Sequence, residues 1–318
     1  MDTREWYNLF AEHEAAGSSP TYERLARAVG ESQPLVALLE ELPAPKRQPN
    51  LLFASARLLG APIDDPPAFI TYVLSSWDEV AAVMQERSTQ TNEAARTGTL
   101  LPVIAQISGP IALIEVGCSA GLCLYPDRYA ISYDGQPALA RHSTVHIDVA
   151  TNGSVLIPTI LPDVVARIGV DLNPLDVNDL ADRSWLEALI WPEHNTRLAR
   201  LRAATSIVAH DPPVLLRGDL VETIDQALAL VPSGATPIVF HSAVLNYISS
   251  EDRKRFAEQL SSHTEVVWIS NEGPGVIDGL ASHLRPPLGA GSAAFFITGR
   301  NGSDVIGISD PHGTWISW

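Results

Sequence analysis

Ile111-Ala112-Leu113-Ile114-Glu115-Val116-Gly117-Cys118-Ser119-Ala120-Gly121 is the stretch on which the fold of this chain turns. A short apolar run enters a turn of small residues, as a buried strand does when it brings backbone close to a ligand. The N–H groups of a helix following such a turn would favour polar or anionic groups. From residue 106 onward, short β-branched runs alternate with helical stretches, which implies a parallel sheet with crossover helices. The expected strands are Ile111–Val116, Val164–Val170, Val214–Arg217, Pro237–His241, Glu265–Ser270, Ala293–Thr298 and Val305–Ser309. Between them lie a helix pair around Ser184–Ala204, opened by the capping box Ser184-Trp185-Leu186-Glu187, and helices at Leu220–Val231 and Glu251–Ser262. Gly299-Arg300-Asn301-Gly302-Ser303 separates the last two strands, and Asn-Gly favours the tight turn of an antiparallel hairpin. Val145–Val149 and Val155–Ile157, around Asn152-Gly153, read as a second hairpin inserted at about residues 136–162. The fold class is therefore α/β, a Rossmann-like, seven-stranded, mostly parallel sheet ending in a hairpin.

Upstream, residues 1–105 read as an all-helical lobe. Tyr22, Leu25, Ala26 and Val29 share one helical face, as do Leu35, Leu38, Leu39 and Leu42. Asn50 is positioned to cap Leu51–Leu59, and Ser76-Trp77-Asp78-Glu79 is a capping box opening a helix toward Arg96. Two domains result, a helical lobe over 1–105 and a Rossmann-like domain over 106–318.

Composition narrows the partners. Hydrophobic residues make up 46% of the 318 and charged residues 18%, which excludes a disordered chain. Lys plus Arg number 21 against 37 Asp plus Glu, a net charge of −16 that repels phosphate backbones, so nucleic acid is not expected as a partner. No apolar run approaches the ~20 residues that span a bilayer, and the N-terminus lacks the layout of a signal peptide, so a cytoplasmic protein without a membrane partner is expected. Cys118 and Cys123 read as reduced thiols, and no metal site is indicated. Oligomeric state is left open.

Two acids give the Gly117–Gly121 turn its weight. Asp171 ends the second expected strand, and Asp219 follows the third after Arg217-Gly218. Ligands of doubly wound sheets lie at the carboxyl ends of the strands, so these three ends converge on one crevice. A carboxylate after the second strand can accept bonds from ribose hydroxyls, and one past the third can reach an adenine amino group. Past the fourth strand, His241-Ser242-Ala243-Val244-Leu245-Asn246-Tyr247 offers an imidazole, an amide and a phenol, and His titrates near neutrality. Asn271-Glu272 adds a polar pair after the fifth.

On these residues the chain resembles the class I S-adenosylmethionine-dependent methyltransferases over roughly residues 106–318. More narrowly, Glu115–Leu122, Arg167–Pro174, Arg217-Gly218-Asp219 and His312-Gly313-Thr314-Trp315, with Gln90-Thr91-Asn92-Glu93 and Arg96, resemble a bacterial family known as domain of unknown function 2332. The resemblance implies S-adenosylmethionine as cofactor and a small molecule or protein side chain as methyl acceptor. It implies that Glu115, Gly117, Ser119 and Gly121 hold the methionine end, with Arg96 at its carboxylate. Asp171, followed by Leu172, would take the ribose, and Asp219 with the Leu220 amide the adenine. His241, Tyr247 and Glu272 are then the candidate catalytic groups. Ser119 departs from the middle Gly of the commoner turn, Cys123 stands in place of an Asn, and Pro126 truncates the helix that should follow.

Plainer readings stand beside these. The turn glycines would serve helix–strand packing, Asp171 and Asp219 would be helix N-caps, His241 a structural histidine, and Arg96 a surface partner of Glu93 or Glu86. Gly117-Cys118-Ser119-Ala120-Gly121 is also a Gly-x-Ser-x-Gly, so a serine esterase with Ser119 as nucleophile and His312 as base is an alternative. Against it, no strands precede the turn and no His-Gly-Gly segment is present. A nicotinamide dehydrogenase is weaker, since its Gly-x-Gly-x-x-Gly frame falls on Gly117, Ser119 and Leu122. A third reading is a cofactor-binding protein without catalysis.

Overall fold

The computed structural model describes residues 2–90, 92–284 and 294–318. Its helices are α1 (Thr3–Leu9), α2 (Pro20–Glu31), α3 (Gln33–Glu40), α4 (Pro49–Leu58), α5 (Pro66–Ser75), α6 (Trp77–Glu86), α7 (Thr97–Ile104), α8 (Leu180–Ala188), α9 (Asn195–His210), α10 (Leu220–Ala229) and α11 (Ser250–Ser262). Its strands are β1 (Pro110–Val116), β2 (Ala130–Tyr133), β3 (His146–Asn152), β4 (Asp163–Asp171), β5 (Val214–Arg217), β6 (Thr236–Ser242), β7 (Val267–Glu272), β8 (Phe296–Arg300), β9 (Asp304–Ser309) and β10 (Trp315–Ser317). The chain divides into two compact units, one of residues 1–91 and 178–199, the other of 92–177 and 200–318.

The helical unit is built on aromatic side chains. Phe53 meets Tyr7, Phe10, Tyr22 and Phe69 at centroid distances of 4.8–6.1 Å, and Trp191 packs on Phe10 and Tyr22 at 5.7 Å. Such tilted and edge-on pairs each add about 0.5–1.5 kcal/mol to the burial of their area. Tyr22, Leu25, Ala26 and Val29 are buried together on α2, as their spacing requires. The expected caps differ. Gln48 precedes α4, while Asn50 Oδ1 accepts a bond from Trp191 Nε1 at 2.9 Å. Ser76 makes no side-chain cap and α6 stops at Glu86. Asp179, not Ser184, caps α8 by accepting from Ala181 and Asp182.

The sheet unit begins at residue 92, so residues 92–105 belong with the strands, and residues 178–199 belong with the helices. Its sheet runs β2-β3-β10-β9-β8-β7-β6-β1-β4-β5, ten strands among the described residues where the sequence pattern suggested seven. β5-β4-β1-β6-β7 is wholly parallel, and each of these five lies within two or three residues of an expected strand. β1, β4 and β5 step outward in one direction, and β6 and β7 return on the other side of β1. The order therefore reverses between β1 and β6, the position where open α/β sheets take their ligands. The expected terminal hairpin is β8–β9, antiparallel, with positive φ at Asn301 (51°) and Gly302 (75°). The strand start expected at Ala293 lies outside the described residues.

The expected hairpin at 136–162 does not form. β3 pairs in parallel with β2 and with β10, and residues 155–157 make no strand. Asn152 accepts a bond from the Trp318 N–H, and left-handed Gly153 packs against the Trp318 carbonyl, which draws this segment to a partner far along the chain. On one face of the parallel half, Ile114, Val116, Ile168, Val170 and Val239 form a buried cluster with Ile224 of α10 and Phe256 and Leu260 of α11. Full burial of each such side chain contributes about 1.5–3 kcal/mol. That packing fixes the strand ends at which the loops diverge.

Candidate functional site

β1 delivers its turn at the reversal point of the sheet. Gly117, Ser119 and Gly121 all have positive φ (68°, 50° and 69°), a conformation natural to glycine and costly for Ser119. The wiring of the turn meets that cost. Gly117 and Cys118 N–H donate to Val170 O at 2.7 and 3.2 Å, and Gly121 N–H donates to Cys118 O at 2.7 Å. Ser119 N–H donates to Asp171 Oδ2 at 2.7 Å, and Ala120 N–H donates to Asn92 Oδ1 at 3.0 Å. Asn92 also donates its amide to Ser119 Oγ. A single 3-10 turn, Leu122–Leu124, follows instead of an α-helix, so no helix N-terminus stands behind this loop.

Arg96, Glu115, Gly117, Ser119, Gly121, Asp171 and Leu172 come together at the β1 and β4 ends. Glu115 is buried, and its Oε2 has no hydrogen-bond partner. Burial pushes its carboxyl well above the usual carboxylate range, against the pull of the nearby Arg96 guanidinium and with a further push from Asp171. Arg96 is not a surface partner of Glu93 or Glu86. It is buried, donates to Ser242 O and Pro311 O at 2.9 Å each, and lies over the Phe296 ring at 5.7 Å. Glu93 instead accepts from Arg200 Nε at 2.9 Å. Asp171 Oδ1 accepts from Asn173 N–H at 2.7 Å, so this carboxylate fastens two loops at once. Leu172, next to it, is 69% exposed.

Farther along, the structure shows how the other candidates are held and corrects the reading of His241 as a base. Asp219 is the N-cap of α10, accepting from Val221 N–H at 2.8 Å, and the Leu220 side chain belongs to the buried cluster. His241 is fully buried, and both ring nitrogens are committed. Trp268 Nε1–H donates to His241 Nε2 at 2.9 Å, so that nitrogen carries no proton, and Nδ1–H donates to Glu272 Oε1 at 2.7 Å. This histidine has no nitrogen left to accept a substrate proton, and it faces the α11 side of the sheet against Phe256. Glu272 Oε1 also accepts from Val244 and Leu245 N–H at 2.9 and 3.1 Å, while its buried Oε2 has no hydrogen-bond partner. Tyr247 is the exception among the catalytic candidates, standing 84% exposed at the rim.

The serine-nucleophile reading also meets an obstacle. Ser119 is buried, its Oγ accepts from Asn92, and among the described residues no histidine is hydrogen-bonded to it. Burial likewise pushes the Cys118 and Cys123 thiols well up, so neither is a ready thiolate. Among the described residues no group of three or more His, Cys, Asp or Glu side chains is arranged to hold a metal, and no helix is long and apolar enough to cross a membrane.

Sequence reasoning missed Asn92, Arg200 and Val244 as parts of this site. Asn92 and Glu93 stand in the quoted Gln90–Glu93 run, but nothing local to that run announces a bond to a turn almost thirty residues away. Val244 packs so tightly on Gly117 that a Cβ at that glycine would lie 2.4 Å from Val244 Cγ2. The same test places a Cβ at Gly121 3.1 Å from Leu124 Cδ1 and 3.2 Å from Pro213 Cγ. Both glycines thus have packing reasons within the chain itself.

Fold and site together define an α/β protein whose parallel half carries a wired, acid-flanked turn where its strand order reverses. Residues 4–318 match the model of a family described as uncharacterized protein conserved in bacteria (DUF2332), and the chain belongs to that family. No curated protein matches the chain.

Proposed function

We propose that the carboxyl ends of β1, β4 and β5 bind S-adenosylmethionine, and that the protein transfers its methyl group to a small molecule or a protein side chain. One observation carries the choice of ligand. All five N–H groups from Gly117 to Gly121 are bonded to acceptors of the chain itself. A phosphate-binding loop offers such groups to its ligand, so this turn favours a nucleoside without phosphate over a dinucleotide. The flanking Asp171 disfavours a phosphate again, and a cationic group beside Glu115 would favour its ionised form, so the pair suits a cationic ligand.

The residues present fit such a group. Glu115 Oε2, buried without a partner, is placed to accept from an ammonium. Arg96, buried beside it, supplies positive charge for a carboxylate. Asp171 would orient ribose hydroxyls, and exposed Leu172 would cover an aromatic ring with apolar surface. When bound, S-adenosylmethionine supplies an activated methyl group, and transfer needs mainly alignment with a nucleophile. The commitment of both His241 ring nitrogens favours one second reading, a binding protein without turnover. Calorimetry with S-adenosylhomocysteine, with ADP and NADH as controls, tests the proposal. Binding of the first alone, weakened at least tenfold in Asp171→Ala, is expected, whereas no binding of S-adenosylhomocysteine by the wild type ends it. A labelled-methyl assay over candidate acceptors then separates transferase from binder.

A further inference from the structure

The loop after β6 is pinned against the β1 turn at the point where the proposed ligand would enter. Val244 fills the notch left by the missing Gly117 side chain. Its N–H and that of Leu245 both end on Glu272 Oε1, which His241 holds from the other side. The residue leading into this segment, Ala243, has φ 58°, and among residues with a Cβ that region is reached only when surrounding contacts impose it. The contact imposing it is the Ala243 N–H bond to Asn271 O at 3.1 Å. The segment then closes with one 3-10 turn, Leu245–Tyr247, ending on an exposed ring. A strained link, a side chain seated in a glycine notch and two amides on a single carboxylate oxygen make a segment with a defined closed position.

We propose that Val244 is a latch over the ligand turn, occupying in the closed state the space at Gly117 that the amino-acid end of the ligand requires. The inference rests on the S-adenosylmethionine reading of the site and adds its regulation. Ligand entry lifts Val244 from the notch and releases the Val244 and Leu245 N–H groups from Glu272, relieving the left-handed Ala243. Because only the open fraction binds, apparent affinity is lowered by that fraction. Trimming the latch raises it.

The test is calorimetry with S-adenosylhomocysteine on wild type, Val244→Ala and Val244→Ile, joined to residue-resolved amide hydrogen exchange on the wild type. Val244→Ala should bind about tenfold more tightly and Val244→Ile several-fold more weakly, shifts set by the open fraction. In the wild type, ligand should speed exchange at Val244 and Leu245 while Ser119 and Ala120 stay protected. Equal affinities across the three proteins, with unchanged exchange at Val244 and Leu245, would overturn the latch and leave the binding site standing. Absence of binding in all three would overturn both.

Discussion

Asp171 and Glu272 are the same device in two settings. Each ends a strand and fastens a loop by accepting two backbone N–H groups, Asp171 from Ser119 and Asn173, Glu272 from Val244 and Leu245. Asp171 is only partly buried, beside the open Leu172 side chain, whereas Glu272 is buried, with His241 also on its Oε1 and no partner on its Oε2. The difference teaches that a carboxylate at a strand end declares its role by its surroundings. Asp171 fastens its loops beside an exposed side chain, and Glu272 fastens its loop from a buried position.

The sharpest way to break this contrast is Glu272→Ala. It strands three donors in a buried site, and a loss of about 3–5 kcal/mol in urea denaturation is expected. A loss under 1 kcal/mol would show that Glu272 is not the anchor described. Asp171→Ala should cost about 2 kcal/mol, since Asn173, one of its backbone donors, is only partly buried, while its effect on S-adenosylhomocysteine binding exceeds its effect on stability. Asn92→Ala, which frees Ala120 N–H, should cost about 1–2 kcal/mol by the same measurement.

Glu115→Gln sharpens the comparison through pH. The folded-state carboxyl titrates above its unfolded value, so the protonated form is favoured by folding and the wild type loses stability as pH rises from the unfolded value through the folded one. Glu115→Gln lacks that slope, so its stability relative to wild type should grow over this range and then level off, as denaturation at a series of pH values would reveal. Smallest in stability is Leu172→Ala, expected within about 0.5 kcal/mol of wild type because the side chain is exposed. Its S-adenosylhomocysteine affinity should nevertheless fall severalfold, and an unchanged affinity would separate this leucine from the site.

The parallel half of the sheet was legible because its strands are continuous apolar runs bracketed by helices, as at Ile111–Val116 and Val214–Arg217. β2 and β10 were not, since strands of four and three residues carry too little alternation to register, and their partners are far along the chain. The parallel setting of β3 was lost for the same reason. Asn152-Gly153 looks like a hairpin turn, yet its bonds go to Trp318. Of the candidate site, the Gly117–Gly121 turn and Asp171 at a strand end were read from the residues themselves, while Glu115 entered only through the family resemblance. The Asn92 clamp and the Val244 contact were not, because a hydrogen bond between distant segments leaves no periodic trace. His241 was visible as a residue but not as a saturated one, for saturation depends on Trp268 and Glu272 arriving from the neighbouring strand.

β10 also governs the order of assembly. Among the described residues, β3, carrying β2, joins the remaining strands through Trp315–Ser317, which lies between β3 and β9. During synthesis on the ribosome, nine strands emerge before the short one that bridges them, and until then β3 and β9 each present an open edge. Chaperone engagement of the nascent chain should concentrate in that interval, and deletion of three residues at this seam should cost solubility out of proportion to the area they bury.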